Sequence, residues 1–253
     1  MRVFPLRLRR RSRTLTLTTI ICTSIHSSTL LIAFFTSVEA DIFLVDGKLL
    51  VGHDRDKLKP DRTLESLYLA PLAHRVQKNG GHVHQNGLRF FLLIDIKSDS
   101  QATYRHLEKV LSKHADILTA VGANGKVRQA AVTAVITGAQ PRDEVIKASP
   151  RYAGLDGRIS DLDGDAPAHL MPMISDKWTD HFSWNGDGPM PAAERVKLKE
   201  IVSKAHAADR VVRFWATPEN ERVWTELRSS GVDLINTDQL DRLATFLRAF
   251  EGK

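Results

Sequence analysis

The sequence predicts an α/β protein of the TIM type, a (β/α)8 barrel whose first strand is doubtful or replaced. Three observations predict it. From Ser37 onward, β-rich apolar runs alternate with helical patterns, which implies a parallel sheet with helices outside it. The chain has 253 residues, a common length for such a barrel as one domain. Two of the apolar runs end in paired charged residues, and parallel barrels build active sites at the C-terminal ends of their strands.

The first 36 residues stand apart from residues 37–253, which make up the barrel. Six arginines (Arg2, Arg7, Arg9, Arg10, Arg11 and Arg13) precede any acid. Without them the remaining 30 Lys and Arg balance the 30 Asp and Glu, so the net charge of +6 belongs to the tail. The barrel itself gives no case for nucleic-acid binding. Thr14 to Ser37 carries no Lys, Arg, Asp or Glu and holds the single cysteine, Cys22. A basic start followed by an uncharged, Ser/Thr-rich stretch fits a signal peptide, a membrane anchor or a mitochondrial presequence. The expectation is a secretory, membrane-anchored or mitochondrial protein, with membrane association through this segment. The competing expectation is that part of it belongs to the fold, with Leu15–Cys22 as strand and Ser28–Phe35 as crossover helix.

The remaining strands are expected at Ser37–Val45, Phe90–Ile96, Ala130–Thr137, Tyr152–Leu155, Met171–Ile174, Val211–Trp215 and Leu234–Thr237. Helices are expected at Leu64–Lys78, Gln101–Val121, Ala192–Ala208, Glu219–Ser230 and Leu240–Phe250. Pro191 suits a first helical turn and Gly231 a helix stop.

In SVEADIFLV, Glu39 and Asp41 lie two apart and so share a strand face. Asp95 and Lys97 do the same in LLIDIKSD. Taken alone, each pair reads as a solvated face or a surface ion pair. Together, at the ends of two apolar runs, they place three acids and a lysine around one point. An all-oxygen cluster suits a hard cation, Mg²⁺ or Ca²⁺. Asp46-Gly47 is a hairpin signal that pairs Val45 with Lys48 and Leu44 with Leu49, and so returns His53 to the level of the acids. Ideal register puts His53 on the opposite face; a bulge at Gly52 or lost pairing at the hairpin mouth reverses that. Proximity follows from the sequence, orientation does not. Trp215 closes VVRFW, either as core or as a wall of the barrel mouth. Asp161, Asp163 and Asp165 in SDLDGDAP lack calcium-loop spacing and read as a polar loop.

These residues resemble the phospholipase-C-like phosphodiesterases, a TIM-barrel superfamily that includes glycerophosphodiester phosphodiesterases. VEADIFLVDGKLLVGHD is similar to their Glu-x-Asp strand, hairpin and catalytic histidine, and LLIDIKSD to their third metal-ligand strand. TLESLYLAPL, YAGLDGRISDL, RVVRFWATPENERVW and GVDLINTDQLDRL resemble the fungal family called altered inheritance of mitochondria protein 6. The resemblance implies Glu39, Asp41 and Asp95 as Mg²⁺ ligands, His53 as one of two catalytic histidines and Lys97 as a phosphate or carboxylate holder; Trp215, as a wall of the mouth, is the candidate substrate contact. It implies a small phosphodiester or lysophospholipid substrate. One departure accompanies it. The superfamily carries its first histidine about twenty residues before the Glu-x-Asp pair, where this chain has Thr18; His26 is at the wrong offset. The two expectations are therefore a Mg²⁺-dependent phosphodiester hydrolase, impaired or complete, and a non-catalytic barrel that binds a metal or a phospholipid headgroup. A sugar-phosphate barrel enzyme would need glycines after strands seven and eight, and WATPENER and NTDQLD offer none.

Overall fold

FFLLIDI is buried at all seven positions, which only a strand covered on both faces can be. In the computed structural model of the chain, which describes residues 17–20 and 35–251, it is β4 (Phe90–Ile96). β1 (Leu17–Ile20), β2 (Ser37–Val45) and β3 (Lys48–Val51) precede it. β5 (Ala120–Val121) and β6 (Val127–Arg128) form a small separate hairpin. β7 (Val132–Gly138), β8 (Ala153–Gly157), β9 (Met173–Lys177), β10 (Val211–Trp215) and β11 (Leu234–Thr237) follow. The main sheet runs β1-β11-β10-β9-β8-β7-β4-β2-β3, and every pairing in it is parallel except the β2–β3 hairpin.

The eight parallel strands make an α/β sheet of the TIM type. β1 joins β11 through Leu17↔Leu234 to Ile20↔Thr237, within the segment expected at Leu15–Cys22. The expected crossover helix, the arginine tail and His26 lie outside the described residues. Among the described residues no helix is long and apolar enough to cross a membrane.

The sheet is curled. Arg213 on β10 touches Glu39 on β2, although four strands separate them in the pairing order. At about 4.8 Å per strand a flat sheet would hold them roughly 24 Å apart. Inward side chains Phe91, Leu93, Val135, Met173 and Leu234 fill the lower interior. Outward side chains such as Leu92, Ile94, Ile136 and Val212 pack against the helices. Those helices are α1 (Ala70–Lys78, entered through a π turn at Glu65–Leu69), α2 (Ser100–Ser112), α3 (Arg142–Lys147), α4 (Trp178–His181), α5 (Ala192–Ala207), α6 (Glu221–Ser229) and α7 (Leu240–Glu251). Asp99 and Asn220 cap α2 and α6 by accepting from the Ala102 and Val223 amides.

Two expectations need correction. The helix expected over Gln101–Val121 ends at Ser112. Its apolar spacing continues to Leu118, but the chain there pairs with the start of β7: Thr119 N–H donates to the Val132 carbonyl, and Val132 N–H to that of Ile117. Tertiary pairing overrides local periodicity. The strands expected at Ala130–Thr137, Tyr152–Leu155 and Met171–Ile174 sit one to three residues further along. Their apolar runs stop where the polar interior begins, while the backbone ladder continues past it.

Candidate active site

Strand parity carries the site. Ser37, Glu39 and Asp41 point inward from β2, and β2 pairs with β4 so that Glu39 lies beside Leu93 and Asp41 beside Asp95. One carboxylate oxygen each from Glu39, Asp41 and Asp95 lies within 4.8 Å of the others, and all three residues are buried. Lys97, two residues beyond Asp95 on the same face, donates to Asp95 Oδ2 at 2.7 Å and stands 3.7 Å from Asp41 Oδ1.

The hairpin pairs as the Asp-Gly turn demands. Asp46 and Gly47 have φ of 47° and 70°, and Val45↔Lys48 and Leu44↔Leu49 are in register. The ladder stops at Ile42↔Val51, with one further bond from the Gly52 amide to the Asp41 carbonyl. Freed of the pleat, His53 turns to the acids' side, its Nδ1 2.8 Å from Asp41 Oδ2. The orientation that sequence left open is thus set by loss of pairing at the hairpin mouth. The imidazole is about half exposed, so its far side faces the opening.

Three carboxylates cannot be buried together without compensation. Lys97 supplies one cation and Arg213 the other. The Arg213 guanidinium, itself buried, donates to Glu39 Oε2 at 2.5 Å and to Asn236 Oδ1 at 2.6 Å. Burial pushes the Glu39 carboxyl up, Arg213 pulls it back, and the neighbouring Asp95 and Asp41 push it further. Burial likewise raises Asp95 against the pull of Lys97. Burial lowers Lys97, but its bond to Asp95 and the field of Asp41 outweigh that and leave it raised and charged.

Beneath the mouth, Asp156 of β8 is fully buried and pushed up to about 7 by that burial, with Arg213 and Arg158 opposing. Arg158 holds Asp156 Oδ2 at 3.0 Å and the Ser175 carbonyl at 2.9 Å. Trp215 lies two residues past Arg213 and so on the inward side, half-buried at the rim. Its ring faces Lys177 Nζ at 5.9 Å. The structure therefore brings Glu39, Asp41, Asp95, Lys97 and His53 into one cluster and sets Trp215 on the rim of the same mouth without a contact to the acids. Asp161 and Asp163 are taken up by Arg142 and Lys204.

The residues fit a divalent cation. The donors are all carboxylate oxygens, as a hard cation needs. Asp95 Oδ1 is buried without a hydrogen-bond partner. It projects over Gly138, where a Cβ would lie 1.9 Å from it. The glycine keeps open the space the carboxylate fills.

Sequence reasoning missed Arg213, Asp156, Asn236 and Gly138. The signal was present for the first three: each is a polar residue inside an apolar strand (VVRFW, AGLDG, LINT), the same mark that singled out Glu39 and Asp41. Gly138 had no such mark.

A family model described as an AIM6-like phosphodiesterase domain matches residues 29–154, which hold the acids, His53 and Lys97. A glycerophosphoryl diester phosphodiesterase family model matches residues 211–241. The altered inheritance of mitochondria protein 6 homolog of Arthroderma benhamiae is 29% identical over 233 residues, covering 81% of this chain and 72% of that one. The protein of that name from Eremothecium gossypii is 29% identical over 254 residues, covering 83% and 63%. The chain thus spans less than two thirds of the latter's length. Among solved structures, glycerophosphodiester phosphodiesterases from Agrobacterium tumefaciens and Parabacteroides distasonis share the fold. Their TM-scores are 0.55 and 0.51 at 14% and 11% identity, covering 92% and 94% of this chain and 100% of each neighbour. By these matches the chain is similar to the altered inheritance of mitochondria protein 6 proteins, carries a match to an AIM6-like phosphodiesterase domain over residues 29–154, and shares the fold of the glycerophosphodiester phosphodiesterases.

Proposed function

We propose that the chain is a Mg²⁺-dependent hydrolase of small phosphodiesters, glycerophosphodiesters or lysophospholipids, with Glu39, Asp41 and Asp95 holding the metal. The observation that supports it is the convergence of three buried carboxylates with a histidine bonded to one of them. A bound Mg²⁺ would neutralise phosphate charge as the ester breaks. The protein's own groups then have separate tasks. Lys97 holds a phosphate oxygen beside the acids it already bridges. Asp41 fixes His53 through Nδ1, which leaves Nε2 on the exposed side to give a proton to the leaving alkoxide. Trp215 and Lys177 wall the mouth on the far side and exclude water from one flank of the substrate.

One observation favours a second reading, a barrel that binds metal or headgroup without turnover. Among the described residues His53 is the histidine that reaches the acids, and β1, the strand beside β11, reads LTTI and carries no titratable group. One assay separates the two. The purified chain is given glycerophosphodiesters and lysophospholipids in Mg²⁺ and in EDTA, beside Asp41→Ala. The hydrolase reading expects turnover in Mg²⁺ that falls at least about 100-fold in EDTA and in the variant. Turnover indifferent to EDTA refutes the metal assignment. Absence of turnover in a folded chain that still binds Mg²⁺ leaves the binding barrel.

A further inference from the structure

Beyond His53 the chain forms a second concavity that the carboxylate cluster does not use. It is a cavity of about 600 Å³, walled by Gly52, His53, Asp54, Lys57, Lys59 and Arg62 among others. One imidazole therefore borders both the acids and this cavity. Asp54 is the acid in the wall, and Lys57 engages it at 2.6 Å. Lys59 and Arg62 have no acid partner among the described residues. The cavity thus carries uncompensated positive charge, while Asp56 and Asp61 of the same loop lie outside its wall. The loop is fixed rather than trailing. The Val51 amide donates to the Arg62 carbonyl at 2.8 Å, the Arg62 amide donates to the Lys59 carbonyl at 3.0 Å, and Leu50 bridges Thr63. Both free cations are therefore tied through backbone to the strand that delivers His53.

We propose that this cavity is a subsite for a second anionic group, a phosphate monoester or carboxylate, on the part of the substrate that departs. The anion site rests on Lys59 and Arg62; its assignment to the departing part rests on the hydrolase reading, in which His53 protonates that part. A group leaving against His53 enters a basic cavity, so alcohols bearing phosphate are accepted and cationic ones such as choline are repelled. Charge-assisted hydrogen bonds of this kind change affinity by roughly 10-fold or more.

The test titrates the full chain, in EDTA so that the metal site plays no part, with myo-inositol 4-phosphate, myo-inositol and choline. The wild-type chain is expected to bind the phosphate at least about tenfold more tightly than inositol, to show no choline binding, and to lose the preference in 0.5 M salt (~4 Å screening length). The Lys59→Gln/Arg62→Gln variant, checked for an unchanged melting temperature, is expected to lose the preference. A preference absent from the wild type, or kept by the variant, overturns the subsite. Sedimentation with phosphatidylserine-containing vesicles completes the test: vesicle binding that needs Lys59 and Arg62, without binding of the soluble phosphate, assigns the patch to membrane docking and also overturns it. If phosphate binds but no diester is turned over, the hydrolase reading fails and the anion site stands. If diesters with choline and phosphoinositol leaving groups are cleaved equally, the subsite fails and the hydrolase reading stands.

Discussion

Gly138→Ala is expected to damage stability and the carboxylate cluster together. Gly138 ends β7 with φ of 69°, a left-handed conformation that costs a residue with a Cβ about 1–2 kcal/mol. Its added Cβ would fall 1.9 Å from Asp95 Oδ1 and 2.8 Å from the Ile96 carbonyl. The carboxylate can swing away only by giving up its 2.7 Å bond from Lys97. A bond to a charged group is worth about 1.5–3 kcal/mol, and the lower half applies because Lys97 is 31% exposed. The total is about 3 kcal/mol, or roughly 6–12 °C in melting temperature for a chain of this size. Gly125→Ala is the control, since its φ is 72° and nothing lies within 4 Å of an added Cβ. It should cost only the conformational part, about 1–2 kcal/mol. Urea unfolding of both variants gives the difference, and a Mn²⁺ titration reports the cluster. If Gly138→Ala unfolds no more easily than Gly125→Ala and binds Mn²⁺ as the parent does, the close approach to Asp95 has no role.

Three other outcomes are expected. Arg213→Met should destabilise by about 3–5 kcal/mol by stranding Glu39, and Glu39→Gln in the same chain should recover part of it, as a double-mutant cycle in urea would show. Asp156 is held at about 7 against an ordinary 3.8, so the native state keeps a proton that the unfolded chain releases. Its stabilising contribution is complete below the unfolded value and is lost as pH rises from about 4 through 7, at most ~1.4 kcal/mol per unit. Asp156→Asn should flatten that decline, and parallel urea midpoints from pH 4 to 8 check it. Trp215→Ala should raise KM by roughly tenfold and change kcat little, because the ring walls the mouth without touching the acids; a fall in kcat alone would place it nearer the chemistry.

Much of the architecture was legible because parallel strands write themselves as apolar runs. Ser37–Val45, Phe90–Ile96, Val211–Trp215 and Leu234–Thr237 match residue for residue. The runs fail as rulers at the mouth of the curled sheet. Ser175 and Lys177 continue β9 opposite Arg213 and Trp215, but as polar residues they read as the end of a strand. The carboxylate cluster was legible through residue spacing within single strands. Arg213 was not, because its partner is 174 residues away and only the curl of the sheet brings them together. Gly138 was hidden for the same reason: its meaning lies in a side chain on the neighbouring strand.

The Arg213–Glu39 bond also orders events in time. A chain emerging from the ribosome presents Glu39, Asp41, Asp95, Lys97 and His53 well before Arg213 exists. Until then three inward carboxylates have one lysine between them, and the β2–β4 half of the sheet has no reason to dehydrate its mouth. Closing that half onto β10 is a contact of extreme sequence separation, the kind that slows folding. The enclosure of the acids is thus withheld until the last quarter of the polypeptide arrives, so an incomplete chain carries the acids, the lysine and the histidine but not the enclosed mouth.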